Sequence, residues 1–209
     1  MTEKGSFYGV IKRLLDILLS GTALVAFCWL FALLAILVKR DGGTAFFAQK
    51  RIGKGGKSIL VYKFRSMRMN ADDLEKCLTP QELAEYKKDF KLEHDPRITK
   101  IGHFLRKSSL DELPQLWNIL RGDMSLIGPR PLLENELERY YTPEEREKLL
   151  SVRPGLTGYW QATSRNESSY QTGERQKQEL YYIGRVNFPM DVFIFFKTVS
   201  RVFSGKGAV

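Results

Sequence analysis

The chain has 209 residues, enough for one domain with a real core and an appended element but not for two full domains. Lys and Arg total 33 against 24 Asp and Glu, and the resulting net charge of +9 suits anionic partners: nucleic acid, acidic lipid headgroups or phosphorylated small molecules. The two cysteines, Cys28 and Cys77, and the two histidines, His94 and His103, support neither a disulfide framework nor a zinc site, so the metal expected here is a hard cation on carboxylate and phosphate oxygens, which favours magnesium.

No charged residue occurs from Leu18 to Val38. About 21 residues at ~1.5 Å rise make a helix of roughly 30 Å, the thickness of a bilayer core, so residues 1–40 are expected to enter the membrane. No small-residue cleavage site precedes Lys39-Arg40-Asp41, and the segment is expected to stay attached. Its flanks are basic on both sides, Lys12-Arg13 and Lys39-Arg40. A segment that dips in and returns keeps both flanks on the cytoplasmic leaflet, whereas a straight span sends one pair across. Ser20, Gly21 and Thr22 weaken the helix locally, but no proline forces a break.

Residues 41–209 are expected to form one small domain, making the whole an α+β protein. Phe46 to Arg51 and Ser58 to Arg65, flanking Gly53-Lys54-Gly55-Gly56-Lys57, predict a β-hairpin. Its second strand alternates Leu60, Tyr62 and Phe64 with Val61, Lys63 and Arg65, which predicts one apolar and one basic face. The glycine-rich turn lacks Walker spacing and leads into a strand, so it is read as a turn. Ala71 to Leu92 is charged and helix-prone, interrupted at Cys77-Leu78-Thr79-Pro80, as in a pair of surface helices. Asp95-Pro96 is expected to start another helix, carrying Ile98, Ile101, Phe104 and Leu105 on one side and leading Arg106 and Lys107 toward two carboxylates.

Those carboxylates are Asp111 and Glu112. Ser109 and Glu112 have capping-box spacing, and Leu113, Leu116, Trp117 and Leu120 form an apolar stripe ending at Gly122, a C-cap signal. This places Asp111 in the first turn of a helix, where the dipole and neighbouring cations favour the ionised form and attract phosphate. Taken alone, the pair is equally well a capped, solvated turn. Downstream, Gly128-Pro129-Arg130-Pro131 holds one arginine on a stiff, extended backbone, a suitable phosphate clamp. Thr142-Pro143-Glu144-Glu145 opens a helix, and Pro154-Gly155-Leu156-Thr157-Gly158 marks a loop that leads into Tyr159, Trp160, Gln161 and Arg165. Aromatic and polar groups there suit a base or a sugar, or ordinary core packing. From Arg185 to Phe203, phenylalanines and valines are interleaved with Arg185, Lys197 and Arg201. This amphipathic segment is expected to lie at a membrane interface, with burial in the core as the alternative.

Taken together, Lys12-Arg13-Leu14-Leu15-Asp16, Tyr62-Lys63-Phe64-Arg65-Ser66-Met67, Asp95-Pro96-Arg97-Ile98-Thr99-Lys100-Ile101-Gly102, Leu105 to Gln115, Gly122-Asp123-Met124-Ser125, Gly128 to Pro131 and Pro154 to Gly158 resemble, in order, the bacterial sugar transferase family of monotopic polyprenol-phosphate phosphoglycosyltransferases. The resemblance runs from about Lys12 to the C-terminus. It implies transfer of a sugar 1-phosphate from a UDP-sugar to undecaprenyl phosphate, giving undecaprenyl-diphospho-sugar and UMP at the start of bacterial glycoconjugate assembly. It also implies magnesium, and a location on the cytoplasmic face of the bacterial inner membrane among its lipids. Carried over, Asp111 is the nucleophile, and Glu112 assists with the metal or the acceptor. Lys63, Arg106 and Arg130 are candidates for substrate phosphate, Asp111 and Glu112 for magnesium, and Tyr159, Gln161 and Arg165 for nucleotide or sugar. Where relatives carry Ser-Pro in the membrane segment, this chain has Cys28-Trp29; a re-entrant helix is still expected, because both flanks are basic and the donor is cytoplasmic. A homodimer stays open. A non-enzymatic, membrane-anchored basic scaffold for anionic lipid or nucleic acid would explain the charge and the anchor but not the ordered motifs, so nucleic acid is not an expected partner. One long apolar segment also argues against a multi-span transferase.

Overall fold

The structure is a computed structural model and describes residues 7–89, 92, 94–164, 170 and 172–204. It opens with two helices, α1 (Phe7–Ala26) and α2 (Cys28–Val38), bent by 64° at a break of one residue. Among the described residues no single helix is long and apolar enough to cross a membrane, but the bent pair together has the length and composition. The bend needs no proline. Phe27 sits at φ −102°, ψ 12°, outside helical geometry, while its N–H still donates to Ala23 and its carbonyl accepts from Phe31.

Helix α1 is amphipathic in the inverted sense. Lys12, Asp16 and Ser20, one turn apart, are buried, whereas Phe7, Val10, Leu14, Leu18 and Val25 are exposed. The polar stripe faces protein: Lys12 and Asp16 find partners on other elements, and the Ser20 hydroxyl donates to the Asp16 carbonyl of its own helix. Lys12 forms an ion pair with Asp191, and Tyr8 and Tyr182 donate to the same carboxylate. Asp16 accepts from the Leu126 N–H and the Ser125 hydroxyl. Arg13 donates to the carbonyls of Ile119 and Leu120 at the end of α6 (Gln115–Arg121), satisfying groups that a helix C-terminus leaves open.

The hairpin forms as the turn chemistry predicts: β1 (Phe46–Ile52) pairs antiparallel with β2 (Ser58–Phe64), with Phe46 opposite Phe64. The two-face reading of β2 needs correction. Val61 is buried against Leu116, Ile119 and Met124, while Leu60 is half exposed. The cause is Asn118 on α6, wholly buried, which donates to the Leu60 carbonyl and accepts from the Tyr62 N–H. It satisfies the open edge of β2 as a third strand would, and turns the Val61 side toward α6.

Two short surface helices follow, α3 (Leu74–Cys77) and α4 (Pro80–Asp89), interrupted where the sequence indicates. Asp95-Pro96 does not start the next helix. Asp95 instead forms a buried ion pair with Arg97, Ile98 bridges to Met67, and α5 (Lys100–Ser108) begins after Thr99, whose hydroxyl caps the Gly102 N–H.

Beyond α6, whose C-cap Gly122 is left-handed as expected, β3 (Ser125–Ile127) runs parallel to β4 (Gly155–Thr157). The segment read as a loop at Pro154–Gly158 is therefore partly strand. Glycine is required there, since a Cβ on Gly155 would lie 2.1 Å from the Gly128 nitrogen and one on Gly158 would lie 2.1 Å from the Gly128 carbonyl oxygen. Between the strands lie α7 (Glu134–Tyr140) and α8 (Pro143–Leu149), the latter with the expected Thr142/Glu145 capping box. Three helices complete the described chain: α9 (Tyr159–Thr163), α10 (Glu174–Ile183) and α11 (Phe188–Ser204). Helix α11 buries Ile194 and Asp191 and exposes Phe193, Phe195 and Phe196.

Candidate active site

The carboxylate pair is positioned by how α5 stops. Gly102 lets α5 lie directly on the 58–67 segment, since a Cβ at this position would come within 1.9 Å of the Ser66 carbonyl oxygen. At the other end Ser109, at φ 56°, is the one non-glycine residue with positive φ among those described, and it ends α5 in a left-handed turn. The chain doubles back at once into a 3₁₀ turn, Leu110–Glu112, packed between α5 and β2.

The capping-box reading is corrected here. Ser109 makes no side-chain cap bond, and the Glu112 side chain turns to Lys63 on β2, forming a 2.8 Å ion pair. Helix α6 starts only at Gln115, after Pro114, so Asp111 precedes that helix and is not in its first turn. The dipole of a seven-residue helix is thus a lesser influence on Asp111 than the side chains around it.

Asp111 is buried, at 8% exposure. Arg106, from the last turn of α5, donates through Nε to the Ser66 hydroxyl at 3.0 Å. Burial lowers the affinity of its guanidinium for its proton, while the nearby charges of Asp111, Asp95 and Glu112 act the other way and Arg97 adds to the lowering. Arg106 stays a cation, lodged among carboxylates. Behind it lies the Asp95–Arg97 pair, 2.6 Å apart with each side chain 5% exposed. Burial alone would raise the Asp95 pKa, but hydrogen bonds from Arg97 outweigh it and hold the carboxyl below its ordinary range. The site therefore combines two adjacent carboxylates with two cations on separate elements, and its arginine is backed by a buried ion pair.

Among the described residues no group of three or more His, Cys, Asp or Glu side chains is gathered in metal-binding fashion. Asp111 and Glu112 offer hard oxygen donors, which suits a cation that keeps several waters and takes its remaining oxygens from a phosphorylated substrate. Magnesium fits that description.

The structure thus brings together Asp111, Glu112, Lys63 and Arg106. Arg130 is set by other contacts: its N–H donates to Glu179 at 3.2 Å, and its charge acts on Arg51 and Arg175. Tyr159 packs its ring on Tyr181 and Phe193, at centroid distances of 4.9 and 6.5 Å. Gln161 lies on α9 with its Oε1 buried and without a hydrogen-bond partner. Arg165 lies outside the described residues. Sequence reasoning missed Ser66, Asp95 and Asn118 as positioning groups. The first two stand inside the quoted motifs, but nothing in their spacing shows that they meet Arg106 and Arg97.

A family model described as bacterial sugar transferase matches residues 7–205. The chain is 45% identical over 202 residues to an uncharacterized sugar transferase of Haemophilus influenzae, covering 95% of this chain and 42% of that protein. It is 45% identical over 201 residues to the undecaprenyl-phosphate galactose phosphotransferase of Salmonella typhimurium, with 95% and 41% covered. It is 43% identical over 204 residues to the exopolysaccharide production protein ExoY of Sinorhizobium fredii, with 96% and 88% covered. The chain spans about two fifths of the length of the first two relatives and most of the third. With a family match over nearly its whole length, this chain belongs to the bacterial sugar transferase family.

Proposed function

We propose that this chain transfers a sugar 1-phosphate from a UDP-sugar to undecaprenyl phosphate in the assembly of a bacterial polysaccharide. The observation that carries the reading is the buried Asp111 next to Glu112, with Arg106 and Lys63 supplying positive charge from α5 and β2. The Salmonella relative's activity on undecaprenyl phosphate, and the Sinorhizobium relative's place in exopolysaccharide production, support the substrate class and the pathway type.

In this mechanism an oxygen of Asp111 attacks the sugar-bearing phosphorus of the donor. A bond forms from carboxylate to phosphorus, the bond to the bridging oxygen breaks, and UMP leaves with that electron pair. An oxygen of the lipid phosphate then displaces Asp111, which regains its carboxylate. Arg106 and Lys63 offset the repulsion between the attacking carboxylate and the anionic donor. Held by Asp111 and Glu112, magnesium would neutralise phosphate charge. A covalent route means that the soluble donor and the lipid acceptor need not occupy the site together.

The inverted amphipathicity of α1, the bend at Phe27 and the exposed phenylalanines of β1 and α11 support docking on a membrane through a re-entrant helix, with the catalytic domain on the cytoplasmic face of the bacterial inner membrane.

The test uses a UDP-sugar labelled in the β-phosphate. Wild-type protein is expected to release UMP and retain labelled phosphate, whereas Asp111→Asn should lose both, with turnover down by at least ~10³-fold. Normal turnover by Asp111→Asn would end the assignment of the nucleophile.

A further inference from the structure

Away from Asp111, the chain encloses a second polar centre that the proposed transfer does not use. It is built by Arg51 on β1, Tyr141 after α7, Trp160 on α9, Tyr170, and Arg175 and Glu179 on α10. The Arg175 guanidinium lies over two rings, with its Cζ 3.9 Å from the centroid of Trp160 and 3.9 Å from that of Tyr170. With the guanidinium held on these rings, its N–H groups are what it has left for hydrogen bonding. Two of its nitrogens, Nε and Nη2, are shut off from solvent and have no partner among the described residues. So are the hydroxyls of Tyr141 and Tyr170 and the indole N–H of Trp160.

Buried donors without acceptors are costly, and natural proteins seldom keep even one without a reason. Here five donor atoms, from Arg175, Tyr141, Tyr170 and Trp160, are left over in one neighbourhood. The charges point the same way. Arg51, Arg130 and Arg175 act on one another there against Glu136 and Glu179, so cations outnumber carboxylates. Arg51 is already committed to Glu136 at 3.0 Å, and Glu179 accepts from the Arg130 backbone N–H, whereas the Nε and Nη2 edge of Arg175 has no partner among the described residues. An Arg edge presenting Nε–H and Nη2–H in parallel matches two oxygens of a carboxylate or phosphate. Tyr141 is only 3% exposed, so its hydroxyl does not reach bulk water. Acceptor atoms are present too, Glu179 Oε2 and Gln176 Oε1, both buried without partners, and they suit a protonated or hydroxyl-bearing side of the occupant.

We propose that this chamber is an oxoanion-binding site, in which Nε and Nη2 of Arg175 grip one phosphate or carboxylate group side-on and the hydroxyls of Tyr141 and Tyr170 donate to it. The site is separate from the carboxylate pair and stands whether or not the transfer reaction does. Its phosphate is either a free anion or part of a nucleotide.

The test is calorimetry on the purified full chain in detergent with EDTA present, titrating inorganic phosphate, UMP and uridine. Wild type and Asp111→Asn should bind inorganic phosphate alike, while Arg175→Gln weakens binding at least 10-fold and Tyr141→Phe about 5-fold. Uridine should not compete. Competition by UMP assigns the site to a nucleotide phosphate, and independent binding of the two assigns it to a free anion; either supports the proposal. Without ligand, Tyr141→Phe should melt no lower than wild type, since the lost hydroxyl had no protein partner, and phosphate should raise its melting temperature less. No phosphate binding, binding unchanged in both Arg175→Gln and Tyr141→Phe, or a lower melting temperature for ligand-free Tyr141→Phe would overturn it. If Arg175→Gln does not fold, Tyr141→Phe alone decides.

Discussion

Asp111 and Glu112 are neighbours in sequence with different surroundings, and burial and pairing separate their roles more than residue type does. Glu112 is tied to Lys63 across from β2, while Asp111 lies within the field of Arg106. The same contrast governs Glu179. Fully enclosed, its carboxyl is pushed up to about 7 by burial, against the opposing pull of Arg175 and Arg130. The folded chain therefore holds a proton that the unfolded chain has lost between about pH 4.5 and 7. Stability contributed by that proton is complete below the unfolded pKa and is lost as pH rises to the folded one, by ~3 kcal/mol at most. Denaturant midpoints measured from pH 4 to 8 should fall for wild type across this window, and the Glu179→Gln variant should lack that component. An identical pH profile for the two proteins would refute it.

At the scale of elements, the contacts that matter most tie an edge or an end to a side chain far away in sequence. Asn118 closes β2 with two hydrogen bonds, of 2.6 and 3.0 Å. Replacing it by Ala leaves the Leu60 carbonyl and Tyr62 N–H without their partner, and should cost about 2–3 kcal/mol in urea unfolding. Because β2 also carries Lys63, the same change should lower turnover; a variant of unchanged stability would show the clamp to be idle. The elements themselves were largely legible. Gly53-Lys54-Gly55-Gly56 announces the hairpin, Thr142-Pro143 announces α8, and Gly122 ends α6. The starts of α5 and α6 were misplaced for one physical reason: Asp95 and Glu112 have helix-start chemistry, but each finds an arginine or lysine as a stronger partner.

At the scale of the whole molecule, α1 faces its polar stripe inward and its apolar residues outward, opposite to a helix on a water-soluble domain. Lys12 joins α1 to α11 through Asp191, both nearly buried. Lys12→Met strands a buried carboxylate and should destabilise by about 3–5 kcal/mol, with Asp191→Asn in the same chain recovering much of the loss. Topology is tested with single cysteines at Ser6 and Thr44 in a background free of Cys28 and Cys77. A re-entrant helix makes both reactive from the cytoplasmic side, and labelling of position 6 only from the periplasm would rule the hairpin out.

Residue types at fixed spacing were enough to reveal the uncharged N-terminal segment, the hairpin, the carboxylate pair with Arg106 beside it, and the family resemblance, because each is written within a few consecutive residues. Tertiary structure alone decided the bend at Phe27, the pairing of Glu112 with Lys63, and the gathering of Arg51, Arg175, Tyr141 and Tyr170. These depend on groups separated by tens of residues and brought together by packing, where burial sets the strength of each charge and hydrogen bond and leaves no periodicity in the chain to read.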